Sequence, residues 1–182
     1  MKNKIKNLMK EKIKKIKVSK KQFAEALYVW LSKNWNIEVI KGITKEFEVK
    51  NIKDFIKISK ELFFLNMWSV ICACEAELGD KDKRNECLDI FCNLVYKSHP
   101  EKKEKSFSNW MEEIKKKCIE YDKALEIKHP NSQSWKPGLE ITKLISRNLF
   151  GKPVMIGYFS IYGRIVFATK HLRELIKKFD IE

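Results

Sequence analysis

Cys72, Cys74, Cys87, Cys92 and Cys118 are the first residues in this sequence whose type invites a chemical reading. Zinc needs four ligands converging on one point. On a helix, residues two apart, as in Cys-Ala-Cys, diverge by about 200°, and residues five apart by about 140°. The spacing therefore predicts buried structural thiols and no metal site, since free cysteine packs as a small apolar side chain. A second group, Glu112, Glu113, Glu120 and Asp122, shares one segment with Lys115, Lys116 and Lys117. Mixed signs at this density read as a solvated helix face with local ion pairs, not as a tuned acid and base. The third group is Arg164-Ile-Val-Phe-Ala-Thr-Lys-His171. Residues seven apart on an α-helix return to within about 20° of one face. A guanidinium that steadies a phosphate and an imidazole that moves a proton would then share one space.

This last pair resembles the R-x4-6-H signature of the HEPN ribonucleases, all-helical proteins that usually assemble their site across a dimer. The resemblance covers Arg164 and His171 alone, at the longest spacing of the signature, and Ile165 stands where a polar residue often follows the arginine. It implies a ribonuclease with those two as catalytic candidates. The other histidines, His99 and His129, each precede a proline, and both Ser-His-Pro and Lys-His-Pro read as helix endings in which a cation meets the dipole. No Glu-x-x-His pair, GxSxG elbow, P-loop or GxGxxG fingerprint is present. No cofactor is implied, and the chain reads as non-enzymatic ahead of the ribonuclease alternative.

Charge points elsewhere. Of the net +14, the first 21 residues carry +9, from ten lysines and one glutamate, and the remaining 161 carry only +5. Lys outnumbers Arg 34 to 4. Arginine is the better residue for forked contacts to phosphate and bases, so this composition favours loose phosphate binding over base readout. The candidate contacts are Lys4, Lys6, Lys10, Lys14, Lys15 and Lys17. Between them Ile5, Leu8, Met9, Ile13 and Ile16 fall within an arc of about 140°, interrupted by Lys12, which predicts an amphipathic helix over 1–17 with one face to bury. Residues 18–182 form the helical domain.

The elements that must position these groups are helices. With 44% hydrophobic and 34% charged residues, 6 Gly and 4 Pro, the chain fits an all-α, single-domain bundle of about seven helices with short loops. Ser19 and Gln22 have capping-box spacing, and Val18 with Phe23 that of a hydrophobic staple, so a helix starts near Lys20. Residues 37–49 are readable either as a short β-hairpin turning at Gly42 or as a helical turn and loop. Asn51 with Asp54 starts a long central helix ending at Gly79 as a left-handed terminator. Helices follow over about 81–97, 107–127 and 137–150. A last one from Pro153 keeps a 3,4 alternation through Met155, Tyr158, Tyr162, Ile165, Thr169, Leu172, Ile176 and Phe179. Gly157 and Gly163 in that helix call for close contact with a neighbour or a ligand. Of the five tryptophans, Trp110 and Trp135 are placed for exposure.

Neither apolar stretch spans a bilayer on this reading. Leu62 to Cys74 is shorter than the roughly 20 residues needed, and Arg164 interrupts Pro153 to Thr169. Unpaired thiols and the lack of a signal-like h-region predict a cytoplasmic protein. The leading functional expectation is a basic helical protein that engages nucleic acid or a nucleoprotein by neutralising phosphates. An assembly module, forming a homo-oligomer or meeting a protein partner through Ile5, Leu8, Met9, Ile13 and Ile16, is the alternative, ahead of the ribonuclease. Membrane binding ranks last, because that face lacks Trp and Phe anchors.

Overall fold

A computed structural model describes residues 15–126, 137–151 and 158–182. The protein is all-α with one short two-stranded parallel sheet. Strand β1 (Ile16–Val18) pairs with β2 (Phe179–Ile181), Ile16 opposite Phe179 and Val18 opposite Ile181. The stretch expected as a helix over 1–17 lies otherwise outside the described residues. Its described end corrects that expectation: Ile16 and Lys17 are extended, because the other end of the chain supplies an edge for them to pair with.

Helix α1 (Lys20–Asn34) starts where the capping box requires. The Gln22 amide donates to Ser19 Oγ at 3.2 Å, and the Ser19 amide donates to Gln22 Oε1 at 2.9 Å. Phe23, Leu27, Trp30 and Leu31 form its buried side. Residues 37–49 are not a hairpin, for α2 (Ile37–Glu46) occupies them. Asn36 Oδ1 accepts the amides of Glu38 and Val39, both at 3.0 Å, which satisfies two orphan donors at once. Ile40, Ile43 and Phe47 then bury one helical face, and this outweighs the brief alternation of Glu-Phe-Glu-Val. The helix ends in a Schellman arrangement. The Val49 amide donates to the Thr44 carbonyl and the Glu48 amide to that of Lys45, with Glu48 at φ 54° where glycine is usual.

The 26-residue α3 (Ile52–Glu77), capped by Asn51 Oδ1 on the Asp54 amide, is the core expected from its apolar middle. Every residue from Glu61 to Val70 is buried. It ends at Leu78 in an extended conformation, and Gly79 has no left-handed φ, so that terminator is corrected: Asp80 instead caps the next helix and draws the chain straight. Helix α4 (Lys81–Ser98) is followed by a 3-10 turn (Pro100–Lys103), then α5 (Phe107–Leu125) and α6 (Pro137–Phe150), the last closed by Gly151 at φ 71°. The final rod runs through α7 (Tyr158–Gly163), a five-residue π segment (Arg164–Ala168) and α8 (Thr169–Ile176). It stops short of Phe179, which belongs to β2. Helix α1 packs along α4, α3 against α8, and α5 against α6. No described helix is long and apolar enough to cross a membrane.

Candidate functional site

The end of α1, one face of α2 and the π segment enclose a cleft of about 850 Å³. Trp30 and Ile43 are its buried apolar members, and Asn34, Glu38, Gly42 and Glu46 border it from one side. Gly163, Arg164, Phe167, Ala168 and His171 border it from the other. Arg164 and His171 therefore share one space, although not by the ideal α-helical register. Bonds closed five residues apart turn the chain less per residue than an α-helix does, so the 20° offset does not apply between them. The bulge keeps Ile165 inward at 9% exposure while Phe167, at 69%, stands on the cleft rim.

Arg164 is half-buried, and loss of water pulls its guanidinium pKa down while the Glu46 carboxylate opposes that shift. It makes no ion pair within 4 Å among the described residues. A desolvated fork of N–H donors without a bound carboxylate suits an incoming oxyanion. His171, one turn beyond the π segment, is exposed. Gly163 is not clasped by a neighbouring helix: a Cβ there would meet only Phe167 Cδ2, at 3.8 Å, and one at Gly42 would meet nothing within 4 Å. Both glycines keep the cleft open instead. Gly157 lies outside the described residues.

The lysine candidates divide. Lys4, Lys6, Lys10 and Lys14 lie outside the described residues, as do Ile5, Leu8, Met9 and Ile13. Lys15 is exposed, whereas Lys17 Nζ pairs with Glu182 at 2.7 Å on the sheet. Of the next two lysines, Lys20 pairs with Glu86 and Lys21 stands 4.0 Å from Glu25.

The thiols differ in burial, Cys72 and Cys118 being partly buried and the other three buried. Cys74 and Cys87 are buried, and Cys72, Cys92 and Cys118, from α3, α4 and α5, border a second cleft of about 540 Å³. Burial pushes the Cys72, Cys74, Cys92 and Cys118 thiols up to about 12, and the Asp122 and Glu75 carboxylates add to this at Cys72 and Cys118. All five are free, and no group of three or more His, Cys, Asp or Glu among the described residues could hold a metal ion. The spacing of Cys118 from the other cysteines carries no sign of this convergence.

On α5, Glu112, Lys115, Lys116 and Asp122 are exposed and Lys117 pairs with Glu120 at 3.1 Å, while Glu113 and Glu120 are half-buried. Asp122 Oδ1 accepts from Trp68 Nε1 at 2.9 Å, and Glu113 joins Lys60 at 2.8 Å and Lys105 at 2.6 Å. His99 is not a cation on a helix C-terminus. Its Nδ1 accepts the Glu101 amide at 3.2 Å and so caps the 3-10 turn that follows, which requires the neutral ring. Burial lowers its pKa accordingly. His129 and Trp135 lie outside the described residues. Trp110, expected outside, is 1% exposed, packed among Phe63, Tyr96 and Phe107.

No protein family, curated protein or solved structure matches the chain.

Proposed function

We propose that this chain is a non-enzymatic binding protein for nucleic acid or a nucleoprotein, held through phosphate neutralisation by Lys4, Lys6, Lys10, Lys14, Lys15 and Lys17. The observation that carries the reading is the charge of +9 on the first 21 residues of a chain otherwise only mildly basic. Lysines on this scale release counterions and give affinity without sequence preference. The fold adds a direction. The basic run enters the body at β1, and α1 leads from there to Trp30 in the buried wall of the Arg164 cleft, ten residues or roughly 15 Å along a helix. A strand held at the sheet is thus within a few nucleotides of the one half-buried, unpaired guanidinium found on that cleft.

The test is binding of fluorescent single-stranded RNA to the full chain across a salt series. Replacing Lys4, Lys6, Lys10 and Lys14 by Gln should lower the slope of log K against log salt by roughly 3. No binding at low salt, or an unchanged slope, overturns the proposal. A second reading, the HEPN-like ribonuclease, is favoured by the shared cleft of Arg164 and His171. With product length read on the same RNA, Arg164→Ala and His171→Ala each abolish cleavage if it is correct, and cleavage that is absent or survives both removes it.

A further inference from the structure

Away from the Arg164 cleft, the first turns of α3 and the 3-10 turn after α4 enclose a pocket of about 450 Å³. Its walls are aromatic. Trp35 and Phe55 are half-buried, Phe63 and Phe64 are buried behind them, and the ring of His99 stacks on Trp35 at 5.5 Å with the planes 10° apart. His99 itself is only 9% exposed. With Nδ1 accepting the Glu101 amide, the proton of the neutral ring sits on Nε2. That N–H has no partner among the described residues. Nor is it sealed in, because Thr169 Oγ1 is the one fully buried side-chain polar atom without a partner among them. Nε2 is therefore not fully buried, and His99 lines the pocket.

The charges around the pocket select what enters. Lys60 Nζ is held by Glu101 at 3.2 Å and Glu113 at 2.8 Å, and Lys105 by the same two carboxylates at 3.0 and 2.6 Å, so four charges cancel. Lys60 also lies 5.7 Å from the centre of the Phe64 ring, which fills the cation position on that face and repels a second cation. The charge left over on the rim is the exposed carboxylate of Glu104, which has no ion-pair partner among the described residues and repels phosphate. What remains is a neutral flat ring, with an acceptor for the His99 N–H and an N–H or amino group for Glu104. Ser59 also lines the pocket, and a serine hydroxyl can serve either sense.

We infer that this pocket binds a neutral nitrogen heterocycle of the nucleobase or nucleoside class, stacked against Trp35 and Phe55 and hydrogen-bonded by His99 and Glu104. Its size lies in the usual range for small-ligand sites, and base–aromatic stacking supplies the affinity. The site is separate from the polyanion reading, since its rim is acidic and its ligand carries no phosphate.

The experiment is a titration of the full chain with adenosine, guanosine and cytidine, each beside its 5′-monophosphate, followed by tryptophan fluorescence and calorimetry. At least one nucleoside should bind saturably, several-fold tighter than its monophosphate and with little dependence on salt. His99→Phe, which keeps a ring but removes the N–H, should weaken it roughly fivefold or more. Ser59→Ala and Glu104→Gln lie at the rim and leave the core intact, so they serve if His99→Phe unfolds the chain. Glu104→Gln should close the gap between nucleoside and monophosphate. The inference is overturned if no nucleoside saturates at millimolar concentration or if the monophosphates bind more tightly. It falls equally if N-acetyltryptophanamide outcompetes every nucleoside, which would make the pocket a protein-docking site, or if Arg164→Ala abolishes binding, which would move the ligand to the other cleft.

Discussion

Glu61 is a carboxylate in the middle of the core helix, 6% exposed, and replacing it by Leu tests how the bundle is tied together. Its Oε1 accepts from Tyr121 Oη on α5 and from Asn148 Nδ2 on α6, both at 2.9 Å, while Oε2 meets Lys117 Nζ at 3.3 Å. Burial, with this carboxylate beside it, holds the Tyr121 phenol well above its ordinary pKa, so it stays a donor. The partners differ in what they lose. Asn148 is exposed and turns to water, and Lys117 keeps Glu120 at 3.1 Å. Tyr121 is 0% exposed and loses the acceptor of its hydroxyl, apart from a 3.5 Å approach to the Glu61 carbonyl. An unsatisfied buried donor costs about 1–3 kcal/mol, and the lost charge-assisted bonds bring the expected total to about 2–4 kcal/mol. For a chain of this length that is a fall in Tm of roughly 4–16 °C. Circular dichroism melts and urea midpoints of Glu61→Leu measure it. Adding Tyr121→Phe should recover about 1–2 kcal/mol, because the orphaned hydroxyl goes with its acceptor. A Glu61→Leu midpoint equal to that of the parent, or a double variant less stable than the single one, refutes the reasoning.

Two further outcomes follow from backbone and burial. Glu48 holds a left-handed φ of 54° at the end of α2, so Glu48→Gly should stabilise the chain by about 0.5–1 kcal/mol, read as a rise in urea midpoint. His99 titrates lower in the folded chain than the ordinary value near 6.5, because burial outweighs the Glu101 carboxylate, with Lys60 and Lys105 acting the same way as burial and Glu113 against it. The unfolded chain therefore takes up that proton first. Its contribution to stability is complete above about pH 6.5 and is lost as pH falls from there through the folded pKa. Glu101 and Glu113, lowered by Lys105 and Lys60 against the pull of burial, lose theirs only below the ordinary carboxylate range, so the two windows separate. A pH series of melts on the parent and His99→Asn should differ in slope just below pH 6.5 and converge in slope above it.

Local chemistry was readable in the sequence wherever one short segment contained both halves of an interaction. Ser19 with Gln22 and Asn51 with Asp54 each start their helix in the structure, and the apolar run from Leu62 to Cys74 is the buried core it resembles. Segment 37–49 was ambiguous because an alternating run of four residues and a helical face of three both fit it. Asn36 decided the matter by capping two amides, a fact of geometry and not of composition. The parallel pairing of residues 16–18 with 179–181 was illegible for another reason: two three-residue segments so far apart in sequence carry no register signal until tertiary packing sets them side by side. Arg164 and His171 were visible as a pair, yet the π segment between them was not, and neither were the residues that border the cleft with them. Trp30 and Glu46 come from sequence positions unrelated to that motif. The same applies to Trp35 and His99, whose stacking joins residues 64 positions apart.

The small sheet matters for the functional reading because of what it joins. Two three-residue strands are marginal alone, and these are held by Ile181 at 6% exposure and by Phe179 set edge-on to Phe23 at 5.8 Å. The Glu182 amide donates to the Val18 carbonyl at 2.9 Å and Lys83 Nζ to that of Ile181 at 2.5 Å, so β1 and β2 are fixed to each other and β2 to α4. From this knot α1 runs to Trp30, and α8 runs back to His171, so two of the elements that wall the Arg164 cleft start or end at the point where the basic run enters. The exposed pair of Lys17 with Glu182 is worth at most about 1 kcal/mol, less than a polyphosphate strand offers several lysines together. On the proposed function, an anion that draws Lys17 from Glu182 would act at the sheet, the point from which α1 and α8 lead to the cleft.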